Sequence, residues 1–188
     1  TDVGPLSLSR PVYATLSTGL EADRAGCRDN GAAASLDAQP LWQLARRAGL
    51  RVSAVSELPW WRELFPQGFD DYRVAPREED FLRAAPPGDL QLIHPLYLDE
   101  TAHEHGAASP AFDAALRRAD GELAALLERV DLSRDLVLVT ADHGHTARGG
   151  HGGRQPRVAE VLTCLAGPGV RRAGLGGAAA SAAPRSSA

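Results

Sequence analysis

The six histidines of this 188-residue chain all fall between His94 and His151. Within that stretch Asp99 and His103 are one helical turn apart, Asp142 and His143 are adjacent, and His151 sits in the run Gly-Gly-His-Gly-Gly. Imidazole nitrogen and carboxylate oxygen form a donor set that suits zinc, and manganese or iron would accept it too. Any one of these histidines alone reads as a satisfied core or surface residue, but the set points to metal. A carboxylate directly after a buried strand is costly unless a cation neutralises it, which is the position of Asp142. Asp99, His103, Asp142, His143 and His151 are therefore the expected ligands, with groups enough for two divalent ions. His94, His105 and His145 are read as residues that support the ligands or the fold. A second chemical feature is Ser9, two residues before Pro11. Proline suits the first turn of a helix, and a helix N-terminus stabilises negative charge, so Ser9 is either a nucleophile or a helix cap.

The elements that must position these groups are legible by period. Leu41, Leu44, Ala45 and Ala48 predict a helix that Pro40 starts and Gly49 stops, followed by a strand over Arg51 to Val55. Between Glu57 and Arg83 the aromatics Trp60, Trp61, Phe65, Phe69, Tyr72 and Phe81 show no clear period, which predicts an excursion over a sheet before the turn at Pro86-Pro87-Gly88. For Trp60 and Trp61, core packing is favoured over stacking on a nucleobase. Leu90 to Leu98 predicts a buried strand interrupted by Pro95. Ser109 as N-cap and Pro110 as first helical residue open a helix with Phe112, Leu116, Ala119, Leu123, Leu126 and Val130 on one face. Leu136 to Thr140 predicts a central strand of a parallel sheet that ends directly at Asp142-His143, and Val158 to Ala166 one further strand. Strands alternating with helices indicate an α/β domain whose functional residues gather beyond the C-terminal strand ends.

Composition sets the outer limits. A net charge of −4, with 44% hydrophobic and 23% charged residues, describes one globular domain. No apolar run approaches the ~18 residues of a membrane span, no segment reads as a signal peptide, and the acidic balance speaks against a nucleic-acid scaffold. Cys27 and Cys164 match no metal-ribbon or redox spacing and read as buried small hydrophobes. The chain holds no methionine, which points to a processed or truncated N-terminus. Residues 1–172 are expected to form the domain, and the Ala/Gly/Ser-rich stretch 173–188 a disordered tail.

The segment S-R-P-V-Y-A-T-L-S-T-G-L-E-A-D-R-A-G-C-R-D-N from Ser9 to Asn30, with Y-L-D-E-T-A-H-E-H-G, V-T-A-D-H-G-H and G-G-H-G-G, resembles the alkaline phosphatase superfamily. It is most similar to the nucleotide pyrophosphatase/phosphodiesterase branch. There a Ser or Thr precedes a proline, a Thr-Gly-Leu run follows and an asparagine closes the segment; here these are Ser9, Pro11, Thr18-Gly19-Leu20 and Asn30. The resemblance implies a three-layer α/β/α sandwich with a largely parallel sheet. It also implies a metal-dependent hydrolase of phosphate esters acting on a small phosphorylated substrate through a phosphoseryl intermediate. Ser9 would be the metal-activated nucleophile and Asn30 a donor to a phosphate oxygen. Asp99, His103 and His151 would hold one ion, and Asp142 and His143 the second, most simply both zinc.

Three features depart from the family pattern. The family's first strand, which brings a further aspartate to the second ion, has no counterpart here, since Asp2 follows no apolar run. The chain thus reads as an N-terminally incomplete copy, and a remnant keeping one metal site is an alternative to a working enzyme. Arg10 stands where the branch carries an apolar residue and is expected either to contact a substrate oxygen or to be solvated. His151 lies closer to Asp142 than in the typical phosphodiesterase. A sulfatase-like hydrolase is a further alternative, against which Tyr13 stands where that signature requires arginine.

Overall fold

The computed structural model describes residues 1–31, 36, 38–76 and 81–171. The expected tail lies outside the described residues. Helix α1 (Ser9–Thr18) is followed by the short α2 (Ala22–Ala25) and by α3 (Leu41–Arg47). Next come β1 (Val52–Ser56), α4 (Trp60–Leu64), β2 (Asp71–Val74), α5 (Phe81–Ala84) and β3 (Leu90–His94). Helices α6 (Tyr97–His105) and α7 (Pro110–Leu127) lead to β4 (Val137–Thr140), α8 (Pro156–Ala159) and β5 (Thr163–Ala166). The expected α/β architecture is present: β1 is the centre of a parallel sheet ordered β2-β1-β3. All five residues of β1 are buried, as expected of a strand covered on both faces.

Several local expectations are corrected. The aromatic stretch hides a strand, β2, which pairs with β1 through Ser53 and Asp71 to Ser56 and Val74. The stretch 158–166 is not one strand: Pro156 opens the helical turn α8, and β5 begins only at Thr163. β4 pairs with β5 in antiparallel register, Val137 opposite Ala166, and among the described residues no strand flanks its other edge. α7 starts as expected, with the Ser109 hydroxyl accepting the Phe112 N–H at 3.2 Å, yet none of its residues is buried. Leu138 on β4 and Leu162 before β5 are 59% and 68% exposed. Cys27 is buried, but Cys164 is exposed, because all of β5 but Ala166 faces solvent.

The main core lies between α1, α3, α4 and β1. Tyr13 stacks on Trp61 with ring centroids 4.1 Å apart, and Trp42, Leu64, Phe65, Cys27 and Val52 close around them. Trp42 donates its indole N–H to Ser17 at 2.9 Å, so α1 and α3 are fixed by a buried polar contact as well as by packing. Phe81 packs with Val55, Ala75 and Ala84 in a second cluster. Trp61, Phe65 and Phe81 are thus core residues, while Trp60 remains half-buried. Among the described residues no helix is long and apolar enough to cross a membrane.

Candidate active site

Four elements converge beyond the C-terminal ends of β1 and β3. α6 begins two residues after β3, and its first turn is capped from outside by Glu57, whose Oε1 accepts the N–H groups of Leu96 at 2.7 Å and Tyr97 at 3.0 Å. An acceptor there satisfies free helix donors, and it fixes the helix that carries Asp99 and His103. The Tyr97 hydroxyl donates to Glu122 at 2.9 Å and fastens α6 to α7. The loop after β4 presents Asp142, His143 and His145, and a glycine-rich turn presents His151. That turn presses on α6: a side chain at Gly149 (φ +87°) would meet the Ala102 carbonyl oxygen at 2.5 Å. At Gly144 a side chain would overlap the Arg157 carbonyl, and the Gly144 N–H donates to Val158 at 2.8 Å.

Asp99 Oδ1 is the hub. It lies 2.7 Å from His145 Nε2, 3.6 Å from both His103 and His151 Nε2, and 3.9 Å from His143 Nε2. Donor atoms of Asp99, His143, His145 and His151 all fall within 4.8 Å of one another. His103 stands at the rim of this group, with its side chain 47% exposed. Two backbone carbonyls fix tautomers, because a carbonyl only accepts. His151 Nδ1 donates to Ser7 O at 2.9 Å and His143 Nδ1 to Gly144 O at 3.3 Å, so both Nε2 lone pairs face the acidic groups. The two rings stack, with centroids 3.7 Å apart. Lone pairs aimed at carboxylate oxygens repel unless a cation lies between them, so this donor set fits a divalent metal ion. His145 instead bonds Asp99: its Nε2 donates to the carboxylate at 2.7 Å, while its Nδ1 is buried without a hydrogen-bond partner.

The electrostatics run the same way. Burial pushes the Asp142 carboxyl above the usual carboxylate range, with Asp99 adding to it. Burial pushes Asp99 upward as well, but the His145 hydrogen bond and the neighbouring His143 and His103 outweigh it and hold the group low. His143 is pushed down to about 4 by burial and by His151. A buried carboxyl and a neutral imidazole both await a positive charge.

Ser9 does not cap α1. The helix begins at Ser9 itself, two residues before the expected start at Pro11, with Leu8 as an N-cap lacking any side-chain bond. Asn30 supplies the missing acceptor: its Oδ1 takes the Arg10 N–H at 3.0 Å. The Ser9 hydroxyl turns instead to the cluster, 3.2 Å from His143 Nε2. Arg10 is not solvated. It is 6% exposed, paired with Glu63 and laid over the Trp60 ring at 4.7 Å. Asp142 Oδ2 lies 3.3 Å from His143 Nε2. Of the weaker histidines, His105 is exposed beside Glu104, and His94 is half-buried, its ring set edge-on against Tyr13 and Trp61.

The sequence pattern of the type I phosphodiesterase / nucleotide pyrophosphatase family matches residues 7–151, from just before Ser9 to His151. The chain belongs to this family. It is 30% identical over 126 residues to the catalytic subunit of GPI ethanolamine phosphate transferase 3 of Mus musculus, covering 59% of this chain and 11% of that protein. To GPI ethanolamine phosphate transferase 2 of Candida glabrata it is 26% identical over 138 residues, covering 60% and 16%. The chain thus spans between a tenth and a fifth of these curated relatives. Among solved structures, human ectonucleotide pyrophosphatase / phosphodiesterase 5 superposes with a TM-score of 0.57 at 19% identity, covering 76% of this chain and 47% of the other. An inactive form of the murine protein in complex with AMP gives 0.53 at 20% identity. The shared fold is that of the alkaline phosphatase superfamily.

Proposed function

We propose that this chain hydrolyses phosphate esters in two transfers, with Ser9 as the nucleophile and two divalent ions, expected to be zinc, in the His/Asp cluster. The observation that carries the reading is the Ser9 hydroxyl facing His143 at 3.2 Å from the first residue of a ten-residue helix. Asp99, His103 and His151 would hold one ion, and Asp142 and His143 the other. The ions supply positive charge that lowers the pKa of the Ser9 hydroxyl and offsets charge on the transferring phosphoryl oxygens.

The chain's own groups do the rest. Ser9 Oγ gives up its proton to bulk water and forms the bond to phosphorus as the ester oxygen leaves with the bonding pair and takes up a proton from water, leaving a phosphoryl group on Ser9, or its monoester when the substrate is a diester. A water that loses its proton then attacks phosphorus, and the Ser9 oxygen leaves with the bonding pair and regains a proton. The N-terminus of α1 stabilises the negative charge at this position. Asn30 has its Oδ1 committed to the Arg10 N–H, which leaves its amide N–H groups as donors for a non-bridging oxygen. His145 holds Asp99 in place through its Nε2–H, and Glu57 holds the helix that carries Asp99.

A small phosphodiester is the first substrate to try, because the relatives are named as phosphodiesterases or as transferases of a phosphate-linked group. In zinc, Ser9→Ala should lower turnover at least ~1,000-fold, as loss of a nucleophile does, while leaving bound metal in place. Turnover undiminished in Ser9→Ala would overturn the reading.

A further inference from the structure

Within residues 149–153 only His151 carries a side chain. Gly149, Gly150, Gly152 and Gly153 all sit at positive φ, between +84° and +99°. Glycine enters that region without steric cost, so the loop can follow this path, but four glycines offer no side chain that would hold it there. The restraint on His151 has to come from residues outside the loop. A ligand that swings on a loose loop binds metal weakly, because each ordering of the loop is charged against the ligand bond.

Two hydroxyl-bearing residues supply that restraint, one on each side of His151. On the near side stands Thr146. Its N–H donates to the Gly150 carbonyl at 3.0 Å, its carbonyl accepts the Gly149 N–H at 3.0 Å, and its hydroxyl donates to the Gly149 carbonyl. On the far side stands Ser7, which is fully buried. Its hydroxyl donates to the Gly153 carbonyl at 2.8 Å, while its own carbonyl accepts His151 Nδ1–H at 2.9 Å. Ser7 thus grips the loop at the imidazole itself and again two residues beyond it. The next residue, Leu8, lies along Gly152, where an added Cβ would come within 3.4 Å of Leu8 Cδ2. The one after that is Ser9, whose hydroxyl faces His143, and the His143 ring stacks on His151. One three-residue segment therefore carries the nucleophile and holds the loop of a candidate ligand.

We propose that the Ser7 hydroxyl clasps the His151 loop to the segment that carries Ser9, with the Thr146 hydroxyl as the second pin, and that the two keep the His151 Nε2 lone pair aimed at its ion. Ser7 and Thr146 act through His151 and are positioning residues. The inference rests on the reading of His151 as a metal ligand.

The test begins on metal-free folded protein at alkaline pH, where the ring is neutral, by nitrogen NMR of the His151 imidazole. Wild type is expected to hold its proton on Nδ1, and Ser7→Ala and Thr146→Val to mix the two tautomers as the loop is released. Zinc titration of the same proteins should show binding weakened about 10- to 100-fold in Ser7→Ala and Thr146→Val, the size seen when the support of a ligand is removed. Thr146→Ser keeps the hydroxyl and should recover most of that loss. Ser7→Cys places a weaker donor at the same position and should fall between Ser7→Ala and wild type, and it carries the test where Ser7→Ala does not fold. Wild-type zinc affinity with an unmixed tautomer in the Ser7 variants overturns the proposal. A loss in Thr146→Ser as large as in Thr146→Val overturns the role of the second hydroxyl. If His151→Ala binds zinc as wild type does, the ligand reading falls and this inference with it. If His151→Ala weakens zinc while the Ser7 and Thr146 variants bind normally, the inference alone falls.

Discussion

Replacing Gly144 with alanine places a methyl group where the backbone of α8 already stands. The added carbon would overlap the Arg157 carbonyl oxygen and lie 3.2 Å from its carbon and 3.5 Å from the Val158 Cα. These neighbours are main chain, so no rotamer change relieves the clash, and α8 and the loop after β4 must separate. Separation stretches the 2.8 Å bond from the Gly144 N–H to Val158. Losing one such bond costs about 1 kcal/mol and overpacking a tight contact about 1–3, so Gly144→Ala should destabilise the chain by about 2–4 kcal/mol. His143, the adjacent residue, moves with the loop, and metal affinity should fall as well. Urea unfolding in chelator reads the first effect and zinc titration the second. The control is Gly121→Ala within α7, where an added methyl meets nothing within 4 Å and helix propensity alone should raise stability by about 0.5–1 kcal/mol. Gly144→Ala within about 0.5 kcal/mol of wild type, with unchanged zinc affinity, would refute the reasoning.

Three further predictions probe the charges and the ligands. His143 titrates near 4 in the folded chain against 6.5 unfolded, so between those values the unfolded state takes up a proton that the folded state refuses. In chelator, its contribution is intact above pH 6.5 and is lost as the pH falls toward 4, by up to about 3 kcal/mol. Asp142, raised by burial, pulls the other way in wild type and in His143→Gln alike, so the difference in their pH-stability curves isolates the histidine; parallel curves would contradict the assignment. His145→Leu should weaken metal binding about 10- to 100-fold by releasing Asp99, while His145→Gln, which keeps a donor, should recover most of that loss. His103→Ala should remove one ion outright, and two ions retained by that variant would take His103 out of the ligand set.

What the sequence made legible were features with short-range causes. Ser109 and Pro110 start α7 through one hydroxyl and one ring, and the Asp142-His143 pair follows directly on β4, which ends at Thr140. The hidden strand β2, Asp71-Tyr72-Arg73-Val74, alternates polar and apolar over only four residues, too short a run to stand out, and its burial follows position rather than that alternation, half-buried at Asp71 and Tyr72 and exposed at Arg73 and Val74. β4 reads as a central strand from its apolar content, yet its only partner among the described residues is the antiparallel β5, an outcome of tertiary pairing that four residues cannot encode. Ser9 had two readings because a serine near a helix start can cap it; that Asn30, 20 residues beyond Arg10, supplies the acceptor becomes visible only in three dimensions. Arg10 likewise left open contact or solvation, and Glu63 and Trp60 take it from distant sequence. His145 carried only the weak signal of alternating with His143, and its place on Asp99 depends on the turn of the loop between them.

The most direct test is to trap the covalent intermediate. Zinc-loaded protein would be mixed with an excess of a small phosphodiester, quenched in acid within one turnover and digested for peptide mass spectrometry. A phosphoryl or phosphodiester adduct on Ser9 is the predicted result, absent when the metal is chelated and absent in Ser9→Ala. Turnover that leaves Ser9 unmodified, and that proceeds equally in Ser9→Ala, would contradict the account.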